Sequence, residues 1–141
     1  MNKYKIRILQ AFFVLTGLVG IMYYGFTGLI VSGILYILLE VFVGNATLHR
    51  YYGHRSFKMS YNKERILRWL AHHIGVGSVI GWSGHHRWHH KYSDTDEDLH
   101  SPTKQGIAHI IFGVWDANIP RNMIRDLLAD KNLIWWHKNY F

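Results

Sequence analysis

The 141-residue chain contains no cysteine. That absence excludes a disulfide-stapled scaffold and any thiolate metal site. A metal held here must take its ligands from imidazole, carboxylate, amide or water. Acidic residues are few: nine Asp and Glu stand against sixteen Lys and Arg, a formal net charge of +7 with histidine neutral. In a soluble protein such an excess favours nucleic acid. Here the cations flank apolar segments instead of forming one block, so the reading is membrane lipid or an acidic substrate, and no nucleic acid. Internal repeats and low-complexity tracts are absent. No Gly-Lys-Ser/Thr follows the glycine-rich residues 75–81, so they are not a phosphate loop; they suit a narrow apolar groove where backbone approaches a ligand closely. The largest gap is one of charge, for no charged side chain occurs from Ile8 to Leu39.

A single helix over that run would measure about 48 Å, against a hydrocarbon core of about 30 Å. The run is too long for a cleavable signal peptide. Tyr24-Gly25-Phe26-Thr27-Gly28 supplies a break, with two glycines and interfacial aromatics. The expectation is an all-α membrane protein with a transmembrane helical hairpin over residues 8–47, its arms near 8–23 and 29–47. Lys3, Lys5 and Arg7 precede it; Arg50, Arg55 and Lys58 follow it. Positive charge at both ends places them on the cytoplasmic face and makes the chain a multi-pass integral membrane protein. Glu40, inside the second arm, is either a functional group or one that snorkels to the interface. Residues 48–141 then form a cytosolic-face helical region within one domain.

That region is rich in histidine. His85, His86, His89 and His90 fall within six residues, followed by Asp94, Asp96, Glu97 and Asp98. On a helix His86, His89 and His90 share a face, and neutral imidazoles there suit iron, zinc, copper or nickel. His49 and His54 lie just past the apolar run. Five residues apart, they diverge by about 140° on a straight α-helix; Gly53 between them can end or distort the helix and bring His54 round. Residues 62–74 read as an interfacial amphipathic helix. Asn62 is its N-cap, Ile66, Leu67, Leu70 and Ile74 are its apolar face, and Lys63, Glu64, Arg65 and Arg68 lie opposite. His72 and His73 read as interfacial polar groups on it. Residues 106–115 are a further short apolar segment. Pro120 starts a last helix with Met123, Ile124, Leu127 and Leu128 inward and Arg121, Arg125, Asp126 and Asp130 outward. Trp135, Trp136, Tyr140 and Phe141 close the chain as interfacial aromatics.

The segments HRYYGHRSF (49–57) and HHRWHHKYSDTDEDLHSP (85–102) resemble the first two histidine boxes of integral-membrane fatty-acid desaturases, nearest the Δ9-type acyl-CoA or acyl-lipid enzymes. The resemblance implies a non-haem di-iron centre that uses O2, with zinc as a possible substitute. Its implied ligands are His49, His54, His86, His89 and His90; His85 matches a variable position. Arg50, Arg55 and Arg87 would back up the ligands or bind the acyl headgroup. Trp82 would sit by the acyl tunnel. Asp94, Asp98 and His100 match the segment after the second box, where carboxylates can orient ligand imidazoles; the alternative for that run is a solvated acidic loop. The implied partners are a fatty-acyl substrate and an electron donor such as ferredoxin or a cytochrome. Leu99 stands where the family usually has proline. The family's third box, H-x-x-H-H, has no counterpart up to Phe141. The resemblance therefore implies the N-terminal portion of a desaturase, a split product, or a form completed by a second chain. A related membrane hydroxylase or ketolase, or an inactive metal-binding membrane protein, are the rival readings.

Overall fold

The computed structural model describes residues 3–112 and 118–140. Helix α1 runs Lys3–Leu39 and continues without a gap into a π-helix, Glu40–Gly53. Helices α2 (Tyr61–His73), α3 (Val79–Tyr92), α4 (Pro102–Gln105) and α5 (Ile107–Phe112) follow. Two short 3-10 turns, Arg121–Met123 and Leu127–Ala129, lead to α6 (Lys131–Lys138). Among the described residues there is no strand.

The apolar stretch is one candidate membrane span, Gln10–Gly53, broken where a break was expected. Gly25 has φ 55° and ψ −134°, a conformation that costs a residue with a Cβ heavily. Past this kink, a Cβ on Gly28 would stand 2.9 Å from the Gly20 carbonyl oxygen. In an unbroken helix eight residues span about 12 Å, so the backbone has bent sharply. Val14, Val19, Met22, Phe26 and Leu35 stand exposed along the stretch. So much contiguous apolar surface suits lipid, not water. Near its start, Gln10 Nε2 donates to the Gly75 carbonyl at 3.0 Å, tying α1 to the turn after α2.

The core lies at the other end, where the π-helix, α2, α3 and the C-terminal turns meet. It comprises Val43, Leu48, Tyr52, Ala71, Val79, Ile80, Ile124, Leu127 and Leu133. Val79 and Ile80, read from sequence as part of a glycine-rich segment, open α3 with Ser78 as the N-cap, its Oγ accepting from Gly81 N–H at 3.1 Å. The turn before it is tied to the C-terminal end of the chain: Gly77 N–H donates to the Tyr140 hydroxyl at 3.1 Å.

Helix α2 departs from its expected orientation. It starts at Tyr61, after Ser60, so Asn62 is not the cap. Its buried residues are Glu64, Arg68, Ala71 and His72, whereas Ile66 and Trp69 are exposed. Charge pairing explains the rotation. Arg68 Nη1 donates to Glu64 Oε1 at 3.0 Å and faces Asp130 Oδ2 at 3.6 Å, and the Tyr52 hydroxyl donates to the same Glu64 oxygen. A polar stripe that meets its own partners can be buried; Ile66 then faces outward, while Leu70 and Ile74 still pack partly against the core. His72 is accordingly buried, not interfacial: it is 2% exposed, and its Nδ1 bonds the Arg68 carbonyl at 2.7 Å.

The segment after Pro120 forms 3-10 turns instead of a helix. Ile124 and Leu127 still face inward, but Asp126 and Asp130 do not face solvent alone. Asp126 pairs with Arg55 and Arg87, while Asp130 caps α6 by accepting from Asn132 N–H at 2.8 Å. Of the closing aromatics, Tyr140 is buried and Trp135 exposed; Phe141, and 113–115 of the short apolar segment, lie outside the described residues.

Candidate metal centre

Two helices of different pitch build the site. In the π-helix each N–H bonds the carbonyl five residues back, so residues five apart stack on one face. His54 N–H donates to the His49 carbonyl at 2.9 Å, and the two imidazoles meet edge to face with ring centroids 4.7 Å apart. The helix ends at Gly53, as expected, but the wide pitch is what brings His54 round. Gly53 contributes space instead. A Cβ there would stand 2.9 Å from His86 Cδ2, so glycine leaves room for that ring. Helix α3 is an ordinary α-helix and presents His86 and His90 one turn apart, ring centroids 4.5 Å.

The imidazoles of His49, His54, His86 and His90 converge, one nitrogen from each lying within 4.8 Å of all the others. His54 Nε2 is 3.0 Å from His49 Nε2 and 3.0 Å from His86 Nε2. Metal–nitrogen bonds of about 2.1 Å at right angles put two nitrogens about 3.0 Å apart, so this spacing fits a shared cation. Burial, then the neighbouring imidazoles, pushes the His86 pKa down to about 3, and burial lowers His54 too. Both rings are therefore neutral at pH 7, with lone pairs available for a metal. The donor set is all imidazole, suited to iron, zinc, copper or nickel.

The fifth expected ligand, His89, is not in this cluster. Its Nδ1 is held by both Asp98 oxygens at 2.9 Å, leaving Nε2 as the nitrogen available to a metal. Asp98 is fully buried at the centre of the loop after α3. It also accepts from the N–H groups of Asp94 at 2.9 Å and His100 at 2.8 Å. Burial pushes its carboxyl up, but His89 and the two backbone donors outweigh this and hold it below its usual value. The loop is thus not merely a solvated acidic run. Asp94 itself bonds Ser101 Oγ at 3.0 Å, and the His100 ring lies 5.6 Å from that of His89.

Trp82 stacks beneath His86, centroids 5.0 Å apart and planes 19° from parallel, which restricts how that imidazole can turn. Arg87 turns away from the histidines and grips the carbonyls of Tyr52 at 2.6 Å and Gly53 at 3.0 Å, together with Asp126. Arg55 also reaches Asp126, at 2.8 Å, while Arg50 is exposed. His85 is buried with Nδ1 on the Gly81 carbonyl at 2.8 Å and lies outside the cluster. So do His72 and His73. Glu40 is exposed at the start of the π-helix and takes no part in it. Sequence reasoning missed Asp126; nothing in its local pattern tells an acid on a turn surface from one that meets two arginines more than thirty residues away.

No protein-family model matches the chain, and no solved structure does. Curated proteins do. A hex-5-enoyl acyl-carrier-protein acetylenase of Moorena producens is 35% identical over 107 residues, 66% of this chain and 33% of its own length. An acyl-CoA C20 Δ5-desaturase of Anemone leveillei is 36% identical over 83 residues, 59% of this chain and 27% of its own. A Δ9 fatty-acid desaturase of Caenorhabditis elegans is 32% identical over 123 residues, 74% of this chain and 34% of its own. The chain thus spans about a third of the length of these relatives.

Proposed function

The chain belongs to the fatty-acid desaturase family, and we propose on that premise that it is the part of an O2-dependent fatty-acyl desaturase that carries the first two histidine boxes. The observation behind this reading is the meeting of four imidazoles from two separate helices, with nitrogens 3.0 Å apart. In this reading His49, His54, His86 and His90 hold non-haem iron, and His89 adds its free Nε2. A histidine-bound iron pair, given O2 and two electrons, supplies an oxidant able to take two hydrogens from an unactivated alkyl chain, which no side chain can do. The balance is one C–C single bond made double and O2 reduced to two waters, with two electrons and two protons from outside.

The chain's own residues have narrower roles. Burial keeps His86 neutral and so able to bind metal. Asp98 holds His89 in the tautomer with Nδ1 protonated. Trp82 and Arg87 hold the His86 ring and the end of the π-helix in register. The apolar stretch forms a transmembrane hairpin turning at Gly25, with the histidines at the cytoplasmic edge of the bilayer. Helix α2 lies in that edge with Ile66 and Trp69 toward lipid. The fatty-acyl substrate reaches the site from the membrane, on a CoA or lipid carrier, and a ferredoxin or cytochrome supplies electrons. Further ligands of the H-x-x-H-H type come from sequence outside this chain or from a partner.

The test is co-expression with a companion polypeptide bearing H-x-x-H-H in a host whose lipids lack the product. New double bonds in the acyl chains, lost in His89→Ala, are expected by gas chromatography–mass spectrometry. Hydroxylated chains would move the reading to the sibling enzymes. Metal binding with no acyl product from any companion would leave a non-catalytic metal protein.

A further inference from the structure

We propose that Asp126 is a positioning residue of the histidine site, acting through two arginines. This rests on the metal reading above. Each arginine directly follows a clustered histidine: Arg55 follows His54, and Arg87 follows His86. Asp126 Oδ1 accepts from Arg87 Nη1 at 2.7 Å, and Oδ2 accepts from Arg87 Nη2 at 2.9 Å and Arg55 Nε at 2.8 Å. One carboxylate therefore ties the chain just after His54 to the helix that carries His86. Those are the two histidines whose Nε2 atoms lie 3.0 Å apart.

The tie is rigid because the Arg87 guanidinium is saturated. It has five N–H donors in a fixed plane. Two meet Asp126; the others reach Gly53 O at 3.0 Å, Tyr52 O at 2.6 Å and Met123 O at 2.8 Å. The Tyr52 and Gly53 carbonyls close the π-helix, where no further turn exists to satisfy them. Bidentate pairing with Asp126 sets the guanidinium plane, and the plane aims the remaining donors at those carbonyls.

Charge gives Asp126 a second effect. Without it two guanidiniums would stand uncompensated beside a site suited to a cation. Removing the carboxylate would loosen the geometry and add repulsion to an incoming metal at once.

Co2+ titrated into the full chain in lipid nanodiscs, followed by its visible absorption bands, reads the site without turnover. Asp126→Asn keeps the shape and removes the charge. It is expected to weaken Co2+ binding at least ten-fold, within the range seen when a ligand's supporting partner is lost, and to change the band shape. Asp126→Glu should recover part of the affinity. Asp130→Asn is the control, since the described contacts of Asp130 are with Arg68 and the N–H groups of Asn132 and Leu133; its affinity should stay within about two-fold of the parent. Parent-like affinity and bands in Asp126→Asn overturn the proposal, as does an equal loss in Asp130→Asn. Should Asp126→Asn not fold, Arg87→Lys decides: it keeps the charge and loses the paired grip, and parent-like binding there overturns the proposal. A parent that binds no Co2+ overturns the metal reading and this proposal with it.

Discussion

His54 Nε2 lies 3.0 Å from His86 Nε2 although the two residues are 32 apart in sequence. The first sits just past the end of the π-helix and the second on α3, beside the core. Their meeting separates them from His85, which is next to His86 in sequence but points into the core with Nδ1 on Gly81. His86→Ala and His54→Ala should each weaken Co2+ or Zn2+ binding by at least about ten-fold, and His85→Ala should leave it near the parent value. Metal titration of the three variants in nanodiscs checks this. Equal losses in all three would mean that the cluster does not define the site.

The Glu64–Arg68 pair underlies the rotation of α2. With Arg68 only 3% exposed, removing Glu64 leaves a buried cation facing only the more distant Asp130 carboxylate at 3.6 Å. Glu64→Leu should therefore cost about 3–5 kcal/mol of stability. Adding Arg68→Met should recover much of that loss, because replacing both members by apolar groups removes the stranded charge. Denaturant unfolding of the single and double variants measures it. A double variant less stable than the single one would contradict this account of the helix.

Acid should destabilise the fold through His72. Burial pushes its pKa down to about 4 from the usual 6.5. As pH falls the unfolded chain takes up this proton first. The stability is therefore full above pH 6.5, drains as pH falls toward 4, and then levels off. The difference is worth about 3 kcal/mol. His72→Phe, set among the rings of Trp136 and Tyr140, should flatten the loss between pH 6.5 and 4 even if it lowers stability overall. Thermal melts across that range decide it, and an unchanged slope would remove His72 from the cause.

Gly25→Val should disturb the bend in the apolar stretch. A β-branched residue at φ 55°, ψ −134° costs about 1–3 kcal/mol of strain. The chain has no cysteine, so single cysteines introduced at Ile8 and Val41 can be spin-labelled without background. In the parent their nitroxides should report similar bilayer depth, and in Gly25→Val the two depths should diverge. Different depths in the parent would argue against a hairpin.

Periodic local pattern explains what could be read along the chain. The uncharged run, its break at Gly25, the His86/His90 face and the inward Ile124 and Leu127 all follow from neighbours in sequence. Helix α2 was legible as a helix but not in orientation, because Tyr52, Glu64, Arg68 and Asp130 become partners only when three segments meet. The segment after Pro120 carried the right apolar spacing yet formed 3-10 turns, where Asp126 is drawn to two arginines.

By itself the sequence determined which chemistry was possible: imidazole without thiolate, a long apolar stretch, and two histidine segments of recognisable pattern. Only the tertiary structure decided which imidazoles share a centre. The π pitch that brings His54 onto the face of His49, the space that Gly53 leaves for His86, and the turn of His89 toward Asp98 are features of the folded backbone. Side-chain convergence is a property of packed backbones, and no spacing rule along one helix contains it.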